Sequence, residues 1–262
     1  RSTLFPYTTL FRSGRREFII KNKFSVIAGP CSVESAEQMT RIAEAVKASG
    51  AIALRGGIFK PRTSPFSFQG LGEEGLPFLL DAGHKVGLPT VSEITDKSQL
   101  DLMRDVSILQ VGARNMQNYE LLKALGKSAK PVLLKRGIGA TIEEWLFSAE
   151  YIISGGNPNV ILCERGSRTF EPLLNTSLDI SVISLVKERC DLPIFIDPSH
   201  ASGDASLVRP IALSAAISGA DGLLIEVHDS PSDALCDGEQ SLTPEQFNSL
   251  IKEIDFVIEK FR

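Results

Sequence analysis

PVLLKRG, residues 131–137, is an unbroken apolar run that stops abruptly at two cations, Lys135 and Arg136. Seven more runs of the same design lie on either side of it. Toward the N-terminus, ILQVGA (108–113) precedes Arg114, PTVSE (89–93) ends in Glu93, AIALR (51–55) ends in Arg55, and FSVIAGP (24–30) precedes Cys31. Toward the C-terminus, NVILCE (159–164) precedes Arg165, PIFIDPS (193–199) precedes His200, and GLLIE (222–226) ends in Glu226. The runs are continuous in Val, Ile and Leu, the pattern of strands buried on both faces and paired in parallel. Eight such strands, each carrying a polar side chain to its C-terminal tip, predict an α/β fold: a (β/α)8 TIM barrel with its site on the top face. A doubly wound open sheet also alternates strands with helices. The count of eight, and the lack of a glycine-rich dinucleotide fingerprint after the first run, favour closure.

Helical patterns fill the gaps. SAEQMTRIAEAVKASG (35–50) places Met39, Ile42, Ala43 and Val46 at helical spacing, with Ser35 and Gln38 as a capping box and Gly50 as a stop. Further helices are expected over 76–87, 96–105, 118–128, 141–156, 178–190, 204–219 and 243–261. Thr141 with Glu144 forms a second capping box, and Thr243 caps the last helix with Pro244 at its first position. The polar stretch 58–75 is long for a barrel loop, and loops of that length usually carry function. The opening RSTLFPYTTLFRS (1–13) fits no part of the pattern and resembles a translated cloning or sequencing adaptor, a non-native leader. REFIIKNKF (16–24) is expected to supply a short hairpin strand at the barrel bottom. Residues 14–262 are thus read as one catalytic barrel without a regulatory domain.

Composition narrows the function. The 262 residues are 43% hydrophobic and 23% charged, enough for a sizeable core. With 28 basic against 32 acidic residues the net charge is −4, which argues against a nucleic-acid coat and makes any basic cluster local. No apolar run approaches the ~18 residues of a membrane span, and no secretory signal is visible. Four cysteines without zinc-finger spacing read as reduced, which points to a cytoplasmic protein.

The strand tips carry the chemistry. Cys31, His200 and Glu226 end the first, seventh and eighth runs, which adjoin when the barrel closes. A lone cysteine is ordinarily a small buried hydrophobe, and a lone histidine a satisfied core group; convergence of three such residues on one face argues instead for a metal. Asp237 is the best fourth ligand, because its Asp-Gly turn would present the side chain inward, unlike Asp229 and Asp233. Thiolate, imidazole and two carboxylates suit manganese, iron, cobalt or zinc. His228 is expected to be structural or to support the site from behind its ligands, and His84 to lie on the surface of the second helix. Arg55, Lys60, Arg62, Arg114, Lys135 and Arg165 all fall on top-face segments. Guanidinium forks and ammonium groups bind phosphate and carboxylate, and six cations exceed what one phosphate needs. A lysine crowded by Arg114 and Arg165 is expected to have a lowered pKa, which makes Lys135 the candidate for proton transfer, with Glu93 the alternative.

GPCSVES, LRGGIFKPRTSPFSFQG, VSEI, QVGARNMQN, LLKRG, ILCERG, DPSHASG and IEVHDSP…DGEQSL, in that order, resemble the 3-deoxy-D-arabino-heptulosonate 7-phosphate (DAHP) synthases. The similarity is to the short subfamily related to 3-deoxy-manno-octulosonate 8-phosphate synthase. It implies condensation of phosphoenolpyruvate with erythrose 4-phosphate and water, releasing phosphate, at the entry to the shikimate pathway of aromatic amino-acid biosynthesis. Arabinose 5-phosphate, the acceptor of the octulosonate enzymes, is the alternative; Lys60-Pro61-Arg62-Thr63-Ser64 speaks for the four-carbon sugar. The resemblance implies one divalent metal, manganese favoured, on Cys31, His200, Glu226 and Asp237. It implies phosphoenolpyruvate contacts from Arg55, Lys60, Arg114, Lys135 and Arg165 beside the Gly112-Ala113 backbone. Arg62 and Thr63 would hold the sugar phosphate, and Glu93 and Asp197 lie near the reacting carbons. It also implies a homodimer or homotetramer and, without a regulatory domain, no inhibition by phenylalanine or tyrosine.

Overall fold

The computed structural model describes residues 10–13, 16–19, 24–174 and 176–262. Eight parallel strands close into a barrel: β1 (Ser25–Gly29), β2 (Ala53–Arg55), β3 (Thr90–Ile94), β4 (Ile108–Val111), β5 (Val132–Lys135), β6 (Val160–Glu164), β7 (Ile194–Ile196) and β8 (Gly222–Glu226). Strand order follows the chain, and β8 pairs back onto β1 with Glu226 opposite Gly29. The expected TIM barrel is therefore the fold. Every strand residue is buried, which explains the continuous apolar runs.

The helices are α1 (Ala36–Ala48), α2 (Gly75–Val86), α3 (Tyr119–Gly126), α4 (Ile142–Ser154), α5 (Val182–Lys187), α6 (Pro198–Ser202), α7 (Ala205–Ile217) and α8 (Pro244–Phe261). Caps set their starts. Thr141 and Glu144 form a reciprocal capping box, as do Thr243 and Gln246. Each cap contributes about 1 kcal/mol. Trp145 on α4 is fully buried and donates its indole N–H to the Leu134 carbonyl at 3.1 Å, tying the helix to β5.

Four expectations change. The Ser35 box is only half formed: Ser35 Oγ accepts from the Gln38 amide, but the Gln38 side chain accepts from Glu34 N and meets His228 Nε2 at 3.0 Å. The helix expected over 96–105 is two 3-10 turns, Lys97–Gln99 and Leu102–Asp105. Met103 is their only buried residue, too little apolar surface to offset the nucleation of an α-helix. The sixth helix shrinks to Val182–Lys187. The extra short helix α6 follows β7, capped by Asp197, so His200 lies on a helical turn rather than on a strand tip. Arg16–Ile19 does form a hairpin strand, paired antiparallel with Leu10–Ser13 of the presumed leader. The next part of the expected segment, residues 20–23, lies outside the described residues.

Two apolar layers hold the barrel. One fills the space between the sheet and the helices, from Val26 and Met39 to Phe247 and Ile254. The other lies inside the barrel: Ile27, Ala53, Val91, Ile108, Leu133, Ile161, Cys163, Phe195 and Leu224. Full burial of each large aliphatic side chain contributes ~1.5–3 kcal/mol. The interior is a packed floor, and the site rests on it.

Candidate active site

Side chains two apart on a strand share a face. The residues one step above the interior floor are therefore dictated by register: Arg55 above Ala53, Glu93 above Val91, Gln110 above Ile108, Lys135 above Leu133, Asp197 above Phe195 and Glu226 above Leu224. Of these, Glu93, Gln110 and Lys135 reach the base of a cavity of about 570 Å³ at the C-terminal ends of the strands, while Arg55, Asp197 and Glu226 are buried among them. Its wall includes Lys60, Arg62, Thr63 and Ser64 from the long loop after β2, Gly112, Ala113 and Arg114 after β4, and Arg165 after β6.

Cys31, His200, Glu226 and Asp237 offer ligand atoms that all lie within 4.8 Å of one another. Cys31 Sγ donates to Asp237 Oδ2 at 2.9 Å, and His200 Nε2 lies 3.4 Å from Glu226 Oε1. All four residues are those expected from the sequence. Asp237 alone among the described non-glycine residues has a positive φ, 54°, a conformation that surrounding structure must enforce.

Asp197 is wholly buried and arranges its neighbours. Oδ1 accepts from the His200 backbone N–H at 2.9 Å. Oδ2 lies 2.7 Å from His200 Nδ1 and accepts from the Lys135 ammonium at 2.5 Å. With Nδ1 against this carboxylate, the imidazole turns its Nε2 toward the cluster, the usual way a carboxylate orients a metal-binding histidine. Burial alone would raise the pKa of Asp197, but the charges of His200, Lys135 and Arg55 hold it well below the ordinary carboxylate range. Glu226 behaves the same way: burial is outweighed by His200, Arg55 and Lys60, and it is held low.

Burial pushes the Cys31 thiol well above its ordinary range, reinforced by Cys236 and Glu226 and opposed by Lys60. Lys60 Nζ donates to Cys31 Sγ at 2.9 Å. Burial lowers the pKa of Lys60, but Cys31, Glu93, Cys236 and Glu226 together raise it by more. A cation among the four ligands would draw off the thiol proton. Soft sulfur, borderline imidazole and hard carboxylate oxygen together fit a borderline divalent ion.

The wall cations are unevenly paired. Arg62 reaches Asp237 Oδ1 at 3.3 Å and Cys236 Sγ at 2.6 Å. Arg114 and Arg165 donate to hydroxyls, Thr63 Oγ1 at 3.4 Å and Thr176 Oγ1 at 3.3 Å. Neither has a carboxylate partner among the described ion pairs, so both remain available to an anion. Glu93 accepts from Gln110 at 3.3 Å across the β3–β4 register. It lies so close to Gly112 that a Cβ there would overlap its Oε1.

Two of these groups sit deeper than their place at the strand ends suggests. Arg55 does not line the cavity: it is 3% exposed and ion-paired with Glu226 at 2.5 Å. Asp197 also lies behind the wall, beneath Lys135 and His200. The Lys135 ammonium rests on that carboxylate. His228 is structural, buried against Gln38 and accepting from Ser230 N at 3.0 Å, and His84 is exposed on α2. Sequence reasoning missed Gln110, Arg168, Thr176 and Gln240 on the wall, and Cys236 with its sulfur 3.5 Å from that of Cys31. Gln110 was legible, as the one polar residue in ILQV. The others sit in loops with no periodic signal.

The DAHP synthetase I family profile matches residues 18–260. The chain belongs to that family. It is 49% identical over 232 residues to the phospho-2-dehydro-3-deoxyheptonate aldolase of Thermotoga maritima, covering 88% of this chain and 69% of the relative. The 2-dehydro-3-deoxyphosphooctonate aldolase of Desulfatibacillum aliphaticivorans is 33% identical over 248 residues, 87% of this chain and 90% of that one. The crystal structure of the Thermotoga maritima DAHP synthase aligns with a TM-score of 0.91 at 45% identity, over 96% of this chain and 74% of that chain. A truncated form of the same organism's synthase aligns with a TM-score of 0.88 at 42% identity, over 96% and 92%. The family resemblance and the barrel expected from sequence are thus both borne out. No helix among the described residues is long and apolar enough to cross a membrane.

Proposed function

We propose that this chain is a metal-dependent DAHP synthase, joining phosphoenolpyruvate to erythrose 4-phosphate at the entry to the shikimate pathway. One observation carries the reading: the Lys60–Ser64 loop forms a wall of the same cavity that His200 and Asp237 of the four-ligand cluster face. Anion-binding and ion-binding groups therefore converge on one reacting volume. A cytoplasmic location and assembly as a homodimer or homotetramer belong to the same proposal.

Phosphoenolpyruvate presents a phosphate and a carboxylate, and Lys60, Lys135, Arg114 and Arg165 supply the counter-charge with the Ala113 backbone beside them. Arg62 and Thr63 take the phosphate of the aldose. The cation ring offsets the mutual repulsion of two anionic substrates. When bound at Cys31, His200, Glu226 and Asp237, a divalent ion (manganese favoured) would supply Lewis-acid polarisation of a carbonyl oxygen. In the overall reaction, C3 of phosphoenolpyruvate bonds to the aldehyde carbon, the aldehyde oxygen gains a proton, and a water oxygen bonds to C2. The C2–O bond to phosphate breaks, giving the heptulosonate and inorganic phosphate. Lys135, held by Asp197 at the cavity base, is placed to carry a proton for these steps, and Glu93 is the second candidate.

Mass analysis of the product formed from phosphoenolpyruvate with both aldoses present tests the reading. The heptulosonate 7-phosphate is expected to dominate; predominance of the octulosonate 8-phosphate would transfer the chain to the sister activity. Zero turnover with manganese added would instead leave a phosphate-binding barrel without catalysis.

A further inference from the structure

We propose that Gln240 is a positioning residue that fixes the carboxylate of Glu226 for ion binding; the proposal rests on the metal-dependent reading above. Glu226 has no solvent exposure, so protein groups alone decide how its carboxylate is turned. Its Oε1 accepts from Arg55 Nη1 at 2.5 Å and faces His200 Nε2. Its Oε2 accepts from Gln240 Nε2 at 2.6 Å. The terminal torsion of a glutamate is broad and poorly defined on its own. One donor on one oxygen leaves the carboxylate plane free to turn about that bond, whereas a donor on each oxygen sets the plane.

The placement of Gln240 is specific. It is 6% exposed, yet it reaches the cavity wall. It ends the 3-10 turn Gly238–Gln240 that starts directly after Asp237. Gly238 admits no side chain there, because a Cβ would overlap the Pro231 carbonyl oxygen. One tight turn thus delivers both the Asp237 ligand and the donor that orients Glu226. A neutral amide also suits the task, since it satisfies the buried oxygen without adding a positive charge that would oppose a bound cation. Outer-shell partners of this kind typically contribute a factor of ~10–100 in metal affinity.

The test uses full-length protein stripped of metal and titrated with manganese and cobalt against a chromophoric chelator. Gln240→Met keeps the bulk and removes the donor. Gln240→Asn keeps the amide and draws it back by one methylene. Both are expected to bind each ion ~10–100-fold more weakly than the unaltered chain. Their cobalt absorption bands are expected to shift, while the melting temperatures of the metal-free proteins stay close to wild type. Glu239→Gln, on the exposed neighbouring position, is expected to bind normally. Wild-type affinity and spectrum in Gln240→Asn, or in a folded Gln240→Met, would overturn the proposal. Failure of the unaltered chain to bind either ion would instead overturn the metal reading itself.

Discussion

Two layers of the barrel interior lie one strand step apart, about 6–7 Å along the strand, and they obey opposite rules. The lower is apolar throughout, with Ala53, Val91, Ile108, Leu133, Phe195 and Leu224. The upper, on the same strands and the same face, is Arg55, Glu93, Gln110, Lys135, Asp197 and Glu226. The lower layer excludes water and needs no partner. The upper layer is nearly as dry: Arg55 and Lys135 are each 3% exposed, and Asp197 and Glu226 are not exposed at all. Buried charge is costly unless paired, and each of these has a partner. Arg55 is matched by Glu226, and Lys135 by Asp197. The site is a second core, built from ion pairs instead of methyl groups and open only on its upper side.

The largest effect that could break this division is expected at Cys31. Cys31→Ser should lower kcat/KM by about a thousandfold or more, roughly 4 kcal/mol of barrier, with little change in thermal midpoint. Exhaustive chelation should do the same. Full activity after chelation would remove the ion from the mechanism.

Next comes the lower layer. Leu133→Ala, two residues below Lys135, should destabilise the fold by about 2–5 kcal/mol in denaturant titration. Its kcat at temperatures well below its melting point should remain close to wild type. A large loss of kcat in the folded variant would show that the two layers are not separable.

Acid sharpens the contrast with a smaller effect. The folded pKa values of Asp197 and Glu226 lie below their ordinary ones. The stability they contribute is therefore present above about pH 4–5 and lost as pH falls through the lower, folded values. The urea midpoint of the metal-free protein should decline below that window. Leu133→Ala should follow a parallel curve from a lower start, since the lower layer adds no titrating carboxylate. Asp197→Asn should decline less steeply; an unchanged slope would show that the buried carboxylate does not carry the acid response.

Much of this was legible because it is periodic or local. Thr141 and Glu144 are three residues apart and form their box whatever the rest of the chain does. Cys31, His200 and Glu226 stand out because each ends an apolar run, and the Asp237-Gly238 pair marks a turn. The local rules misled at Gln38, whose side chain was claimed by Glu34 and by His228, 190 residues away. They misled again at 96–105, where helical composition lacked a face to bury. The roles of Arg55 and Lys135 were only half readable: their position and charge follow from the strand, but not what lies against them.

The sequence by itself determined the eight strands, their parallel burial, the two-residue step from apolar floor to charged layer, and the residue types offered to a metal and to anions. Only the tertiary structure decided the pairings. Barrel closure sets Arg55 on Glu226 across 171 residues and Cys31 on Asp237 across 206. It also puts Asp197 under both Lys135 and His200, and Gln240 on the far oxygen of Glu226. The physical reason is range: strand periodicity and helix caps act over a few residues, whereas the partner of a buried charge is chosen by which strands become neighbours when the sheet closes on itself.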